Sequence, residues 1–227
     1  MKIFILVIVA ISFFLLPSLV RKWRNIPVLI AVAIASAVNT NYNLAYDYPV
    51  PVGPFTFGVD ALVGFMFIYT LVVVTIDNNA KHGYDLTISS IAAIILAGII
   101  ETCAKTAANG GFTYQTIYPF LFNLVSAFAC LVGGFIAVFL TDILRKNGKN
   151  EYVCIAVACL AGAIVHYIIF SLGLMISKEN VLADRERYNA FVFGGLIESL
   201  ILIPLGILNY LFCAKVLKIK KVNQSEQ

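Results

Sequence analysis

Residues 117–141 read Ile117-Tyr-Pro-Phe-Leu-Phe-Asn-Leu-Val-Ser-Ala-Phe-Ala-Cys-Leu-Val-Gly-Gly-Phe-Ile-Ala-Val-Phe-Leu-Thr141, a run without a single Asp, Glu, Lys or Arg. A bilayer-crossing helix needs about 20 mostly apolar residues, and this run has them to spare. Spanning backbones must satisfy their own polar groups, as helices or closed barrels. Barrel strands alternate in polarity over about 10 residues, and nothing here alternates. The run predicts a transmembrane helix. It ends on the polar turn Asp142-Ile-Leu-Arg-Lys146-Asn-Gly148 and is followed by a second apolar run at 152–176. Further runs lie at 3–20, 26–43, 61–76, 86–104 and 190–214. The expected fold is an all-α, polytopic membrane helix bundle with about seven transmembrane helices.

Composition supports this reading. The 227 residues are 61% hydrophobic and 12% charged, with mean hydropathy +0.92. Soluble domains are about 45–50% apolar and about 25% charged. A water-soluble core of this size cannot hide so many apolar side chains. Cytosolic enzymes, nucleic-acid-binding domains and disordered tails are therefore excluded as classes. The net charge of +4 reads as loop bias rather than as an anionic partner. Cys103, Cys130, Cys154, Cys159 and Cys213 form no C-x-x-C pair and read as small core hydrophobes. No metal or cofactor is expected.

The chain divides into an N-terminal transmembrane helix with its basic turn (1–25), a six-helix unit (26–221) and a short tail (222–227). The first run resembles a signal peptide, but it lacks a small-x-small cleavage site and stops at Arg21-Lys22-Trp23-Arg24, which favours a retained helix. With the N-terminus outside, eleven Lys and Arg fall in inner segments and five (Lys2, Lys105, Lys178, Arg185, Arg187) in outer ones, out of 16. The positive-inside rule then predicts a multi-pass cell-membrane protein, N-terminus out and C-terminus cytoplasmic.

Asp77-Asn-Asn-Ala-Lys81-His-Gly83 and Asp142-Ile-Leu-Arg-Lys146-Asn-Gly148 share Asp-x-x-x-Lys-x-Gly at an offset of 65, and Leu96-Ala97-Gly98 recurs as Leu160-Ala161-Gly162 at 64. Two parallel copies of a helical hairpin are expected, an arrangement common in transporters. Convergent turn chemistry, a late cation and a following glycine, accounts for the Lys and Gly equally well.

Ionisable groups inside a bilayer are functional candidates by default. Glu101 and Lys105 qualify, spaced for an i, i+4 pair; so do His166 and Glu198. A purely structural role, each group satisfied by a neighbouring helix, is the competing reading. Asn39, Asn41, Tyr42, Asn43 and Tyr46 form a polar, aromatic cluster near Asp47 and Asp60, suited to hydrogen-bonding and stacking a heterocycle. These aromatics and Tyr118 suit an interfacial belt equally. Asn123 lies deeper, where an amide needs a partner. Ala31/Ala35 and Ala33/Ala37 form two Ala-x-x-x-Ala faces, and Gly133-Gly134 and Gly194-Gly195 similarly permit close helix approach. Pro204 should kink the last helix near Glu198. No G-x-S-x-G, H-E-x-x-H, Walker loop or G-x-G-x-x-G occurs, so no catalytic activity is expected. Any energy source is an ion gradient, the solute's own gradient or a separate ATPase.

Gly53-Pro54-Phe55 before an apolar span, Phe139-Leu-Thr-Asp-Ile-Leu144 running into Lys146-Asn-Gly148, and Leu196-Ile-Glu-Ser-Leu200 with Ile203-Pro-Leu-Gly206 resemble the queuosine precursor transporters, also called the VUT (vitamin uptake) family. The resemblance covers roughly residues 36–221. It implies a six-helix membrane unit taking up deazaguanine precursors of queuosine. It also implies a kinship with the binding subunits of energy-coupling-factor transporters, whose first helix carries an Ala-x-x-x-Ala face.

The expected function is an inner-membrane transporter, or a transporter's substrate-binding subunit, for a small polar nucleobase- or vitamin-like solute. Glu198, Glu101, His166, Asn41 and Asn123 would hydrogen-bond the solute, with Tyr42 or Tyr118 stacking on it. Asp77/Lys81 and Asp142/Lys146 would be coupling or gating turns. Expected partners are the solute, the bilayer, and an energy-coupling membrane protein or a second copy; nucleic acid is not one. Two other readings compete: a non-catalytic scaffold or accessory subunit, and an intramembrane enzyme in which Glu101, His166 and Glu198 converge.

Overall fold

The computed structural model describes residues 50–52, 55–57, 59–177 and 185–215. The runs at 3–20 and 26–43, with Ala31, Ala33, Ala35, Ala37, Asn41 and Tyr42, lie outside the described residues. A short antiparallel hairpin comes first: β1 (Val50–Val52) pairs with β2 (Phe55–Phe57) in the register Val50↔Phe57, Pro51↔Thr56, Val52↔Phe55. This departs from the proline-filled connection expected there. Proline is tolerated on an edge strand, and three-residue strands are too short to show alternation.

Five helices follow: α1 (Val59–Asp77), α2 (Ala80–Asn109), α3 (Tyr114–Lys146), α4 (Glu151–Ser177) and α5 (Arg185–Lys215). Each contains one expected span and runs beyond it. The extensions are polar but capped. Asn79 Oδ1 accepts the His82 backbone N–H at 3.1 Å and starts α2 six residues before its apolar run. Thr113 and Thr116 form a reciprocal capping box at the head of α3. Asn150 Oδ1 accepts the Val153 N–H at 2.9 Å at the head of α4. Gly110 and Gly148 close α2 and α3 at φ 71° and 70°, the left-handed conformation that glycine adopts without a Cβ penalty.

Segments Ala80–Asn109, Phe120–Lys146 and Glu151–Gly173 are long and apolar enough to cross a membrane; Gly64–Asp77 and Ser199–Phe212 are shorter apolar helices among the described residues. The described part of the chain is thus mainly helical, with three helices long and apolar enough to cross a membrane.

The core is α1 itself. Phe65 through Tyr69 and Leu71 through Val73 are all at most 1% exposed, so the helix is buried on every face, as a helix apolar all round must be. Helices α2, α3, α4 and α5 all contact it, α3 packs between α2 and α4, and β2 lies against α5. The outward faces carry large apolar side chains, including Ile100, Phe128, Phe139, Ile168, Leu172 and Leu208.

Small residues set the closest approach. A Cβ on Gly133 would sit 2.8 Å from the Gly162 carbonyl oxygen, and one on Gly162 3.0 Å from the Gly133 carbonyl oxygen. Helices α3 and α4 therefore cross backbone to backbone.

The two Asp-x-x-x-Lys-x-Gly segments do not adopt the same local structure, which corrects the expected equivalence. Asp77 is the last residue of α1, and Lys81 and Gly83 lie in the first turns of α2. Asp142 and Lys146 both lie inside α3, with Gly148 beyond its end. Gly83 is a packing residue: a Cβ there would strike the Thr75 hydroxyl and sit 2.9 Å from Val138 Cγ2. Gly148 is a turn residue with nothing within 4 Å of an added Cβ.

Candidate functional site

Polar side chains collect at three places in the apolar bundle. One is the end where α1, α3 and α5 finish and α4 begins. There Tyr210 Oη donates to Asp77 Oδ1 at 3.3 Å, joining α5 to the buried carboxylate that ends α1. The Tyr152 ring meets Tyr210 edge-on, with centroids 6.5 Å apart. Arg145 Nη1 donates to the Thr75 carbonyl at 2.8 Å. A cation there satisfies an end-of-helix carbonyl and suits the negative end of the α1 dipole. Lys146 pairs instead with Asp142 on its own helix at 2.6 Å. The expected coupling residues thus part company. Asp77 binds across helices, Asp142 and Lys146 form a local pair, and Lys81 faces outward.

Deeper along α1, Tyr69 Oη donates to the Gly206 carbonyl at 2.8 Å and accepts from Asn209 Nδ2 at 3.3 Å. Proline at 204 removes one backbone donor from α5, and Tyr69 engages a carbonyl two residues beyond it. Gly206 makes this approach possible, since an added Cβ would lie 3.0 Å from Tyr69 Cε2. Tyr69→Phe is expected to cost about 1 kcal/mol, read as a lowered unfolding midpoint.

The second place is His166 on α4. It is 6% exposed, and its ring is hydrogen-bonded to the Ala129 backbone of α3. The ring stacks on Phe170 at 5.9 Å and meets Tyr167 edge-on at 5.3 Å. Gly64 of α1 and Gly133 of α3 make room for it, with added Cβ atoms 3.3 Å from Nε2 and 2.9 Å from the histidine Cβ. Phe170 in turn meets Phe122 of α3 edge-on.

The third place is the seam between α2 and α3 near the 110–113 loop. Glu101 Oε1 holds Lys105 Nζ at 2.6 Å, the i, i+4 pair expected from spacing, while Glu101 Oε2 is buried without a partner. Asn123 is 1% exposed, and its amide lies 2.9 Å from an added Cβ on Gly98. Thr102 and Thr106, overlooked as candidates, carry buried hydroxyls without partners on the same stretch of α2. Their signal was present in the sequence, since Gly98, Glu101, Thr102, Lys105 and Thr106 follow helical spacing.

Glu101 and Asn123 therefore belong to one seam and His166 to another. Glu101 Oε1 is held by Lys105 and the His166 ring by the Ala129 backbone, so these two groups are bonded to different partners. Glu198 and Tyr118 fall within α5 and α3, and their side chains lie outside the described set. Among the described residues no group of three or more His, Cys, Asp or Glu is placed to hold a metal ion. A scan of the chain against protein-family models finds no match, and comparison with curated proteins and with solved structures finds none either.

Proposed function

We propose that this chain is an integral membrane transporter, or a transporter's substrate-binding subunit, for a small polar solute of the nucleobase or vitamin kind, with queuosine precursors as the model that the family resemblance suggests. The supporting observation is a set of buried polar atoms without partners. At the Asp77–Arg145–Tyr210 end, polar side chains join helices. In the interior and towards the 110–113 loop, Ser90 Oγ, Glu101 Oε2, Thr102 Oγ1 and Thr106 Oγ1 are buried and unmatched. A buried polar group without a partner costs about 1–3 kcal/mol. A bound solute supplies such partners.

The bonded end carries Lys81, Arg145, Lys146 and Lys149, which supports placing it in the cytoplasm, with the 110–113 loop outside. Its interhelical bonds are also what a scaffold or accessory subunit would show, so that reading retains support at this end only.

The test is uptake by whole cells together with thermal shifts of purified protein against a panel of nucleobases, vitamins and small amides. Glu101→Ala and Glu198→Ala are each expected to lower uptake at least tenfold while the protein still inserts. Uptake unchanged in both variants would refute the site assignment.

A further inference from the structure

From residue 98 to the end of α2, the buried and half-buried residues are Gly98, Glu101, Thr102, Lys105 and Thr106. The spacing is i, i+3, i+4, i+7, i+8, one face of a helix. A membrane helix ordinarily buries an apolar or small-residue face here; this face carries no apolar side chain. Across the seam, the buried Asn123 amide lies against Gly98, one turn from Glu101 and Thr102.

The hydroxyls on this face, like that of Ser90 farther back on α2, behave unlike most others in the bundle. Thr70, Thr75, Thr87, Thr141 and Ser171 each donate to the carbonyl four residues back, at 2.5–2.8 Å. That bond is always open to a helical Thr or Ser. Thr102 and Thr106 do not make it and have no other partner, although Thr102 is only 9% exposed. Beside them, Glu101 Oε2 is buried and unmatched while its twin oxygen holds Lys105.

This donor and acceptor set selects a ligand. A carboxylate oxygen only accepts, so it needs an N–H or O–H; a hydroxyl both donates and accepts. The Glu101–Lys105 pair is already charge-balanced. An added cation would face the lysine, and an added anion would face the free carboxylate oxygen. A neutral group carrying N–H beside C=O satisfies all three oxygens.

We propose that this stretch of the α2–α3 seam recognises the neutral amide edge of a carboxamide or lactam, with Glu101 Oε2 accepting its N–H and the Thr102 and Thr106 hydroxyls bonding its carbonyl. The proposal rests on the transport reading and names the solute chemistry of that site.

The experiment measures thermal shifts of the full-length protein in detergent. The probes are nicotinamide and uracil; the controls are N,N-dimethylnicotinamide, 1,3-dimethyluracil and nicotinate. The variants are Thr102→Val/Thr106→Val, which removes both hydroxyls with little change of shape, and Thr102→Ser/Thr106→Ser, which restores them. At least one probe is expected to raise the melting temperature while its N-methylated control and nicotinate do not. The valine variant should fold with an unchanged or higher melting temperature and bind at least tenfold more weakly, and the serine variant should recover binding. A probe shift that persists in the valine variant would mean that internal water alone serves these hydroxyls, overturning the proposal but not the transport reading. A wild-type shift produced only by solutes without an amide edge has the same consequence. If no solute shifts the protein and cells show no uptake, both fall.

Discussion

Valine at Gly133 is expected to lower the stability of the folded bundle by about 3 kcal/mol, whereas alanine at Gly111 changes it by less than about 0.5 kcal/mol. In lipid the hydrophobic effect does not hold helices together, because the tails are as apolar as the side chains. Association comes from close packing, and small residues permit it. At Gly133 even the first carbon of a side chain would lie 2.8 Å from the Gly162 carbonyl oxygen and 2.9 Å from His166 Cβ. Both obstacles are attached to backbone, so relief means moving α4 away from α3. Alanine at Gly133 is offset in part by the helix propensity it gains, about 1 kcal/mol, and should cost less than valine. Gly162→Ala meets Ala137 Cβ and Ile68 Cγ2 at 2.9 Å as well, so it also presses on α1. Combining it with Gly133→Ala should give less than the sum of the two, since both act through one crossing. Gly111 has nothing within 4 Å of an added Cβ and no positive φ. Unfolding of full-length protein in mixed micelles, followed by circular dichroism, reads all five variants. Equal midpoints for Gly133→Val and Gly111→Ala would sink the claim that the α3–α4 crossing is set by backbone contact.

The membrane character of the chain was legible because hydropathy is a local property. Runs such as 117–141 declare themselves within one helix length, and five of them coincide with α1 to α5. Helix ends were less legible. The polar segment Lys81-His82-Gly83-Tyr84-Asp85 reads as a loop, but with Asn79 as cap it is helical, and hydropathy carries no information about capping. The hairpin at 50–57 was missed because its signal is shorter than the pattern that would reveal it.

The candidate site divides along the same line. Pairs within one helix, Glu101 with Lys105 and Asp142 with Lys146, follow from i, i+4 spacing. Contacts between helices do not. That Asp77 meets Tyr210 while Asp142 meets its own lysine depends on which helix packs beside each, and the shared motif is blind to that. The seat of His166 between Gly64 and Gly133 is likewise a property of two interhelical crossings. Thr102 and Thr106 were passed over for another reason. Helical spacing places them on the Glu101 face, but threonine normally satisfies itself on the carbonyl four residues back, and the sequence does not show that these two do not.

Arg145 and Lys146 are adjacent, equally basic, and identical to the positive-inside rule, yet their removal is expected to have very different effects. Arg145→Ala should destabilise the bundle by about 1.5–3 kcal/mol, the range for a charge-assisted hydrogen bond, because it exposes the Thr75 carbonyl at the end of α1. The lost bond is also electrostatic in a wider sense. α1 ends on the carboxylate of Asp77, at the negative end of its own dipole, and the guanidinium is a cation brought to that helix end from α3. Lysine at 145 should recover only part of the loss, since a single ammonium lacks the planar set of donors that a guanidinium presents. Lys146→Ala deletes the same formal charge but only an outward-facing pair with Asp142 within one helix. Such pairs contribute about 0.2–0.5 kcal/mol. Because both alanine variants reduce the basic charge of this loop by one, any change in membrane orientation should be the same for the two, as judged by labelling cysteines introduced on either side of the membrane. The difference between their unfolding midpoints therefore isolates the cap from the charge. Equal midpoints would mean that the 2.8 Å contact to Thr75 contributes nothing.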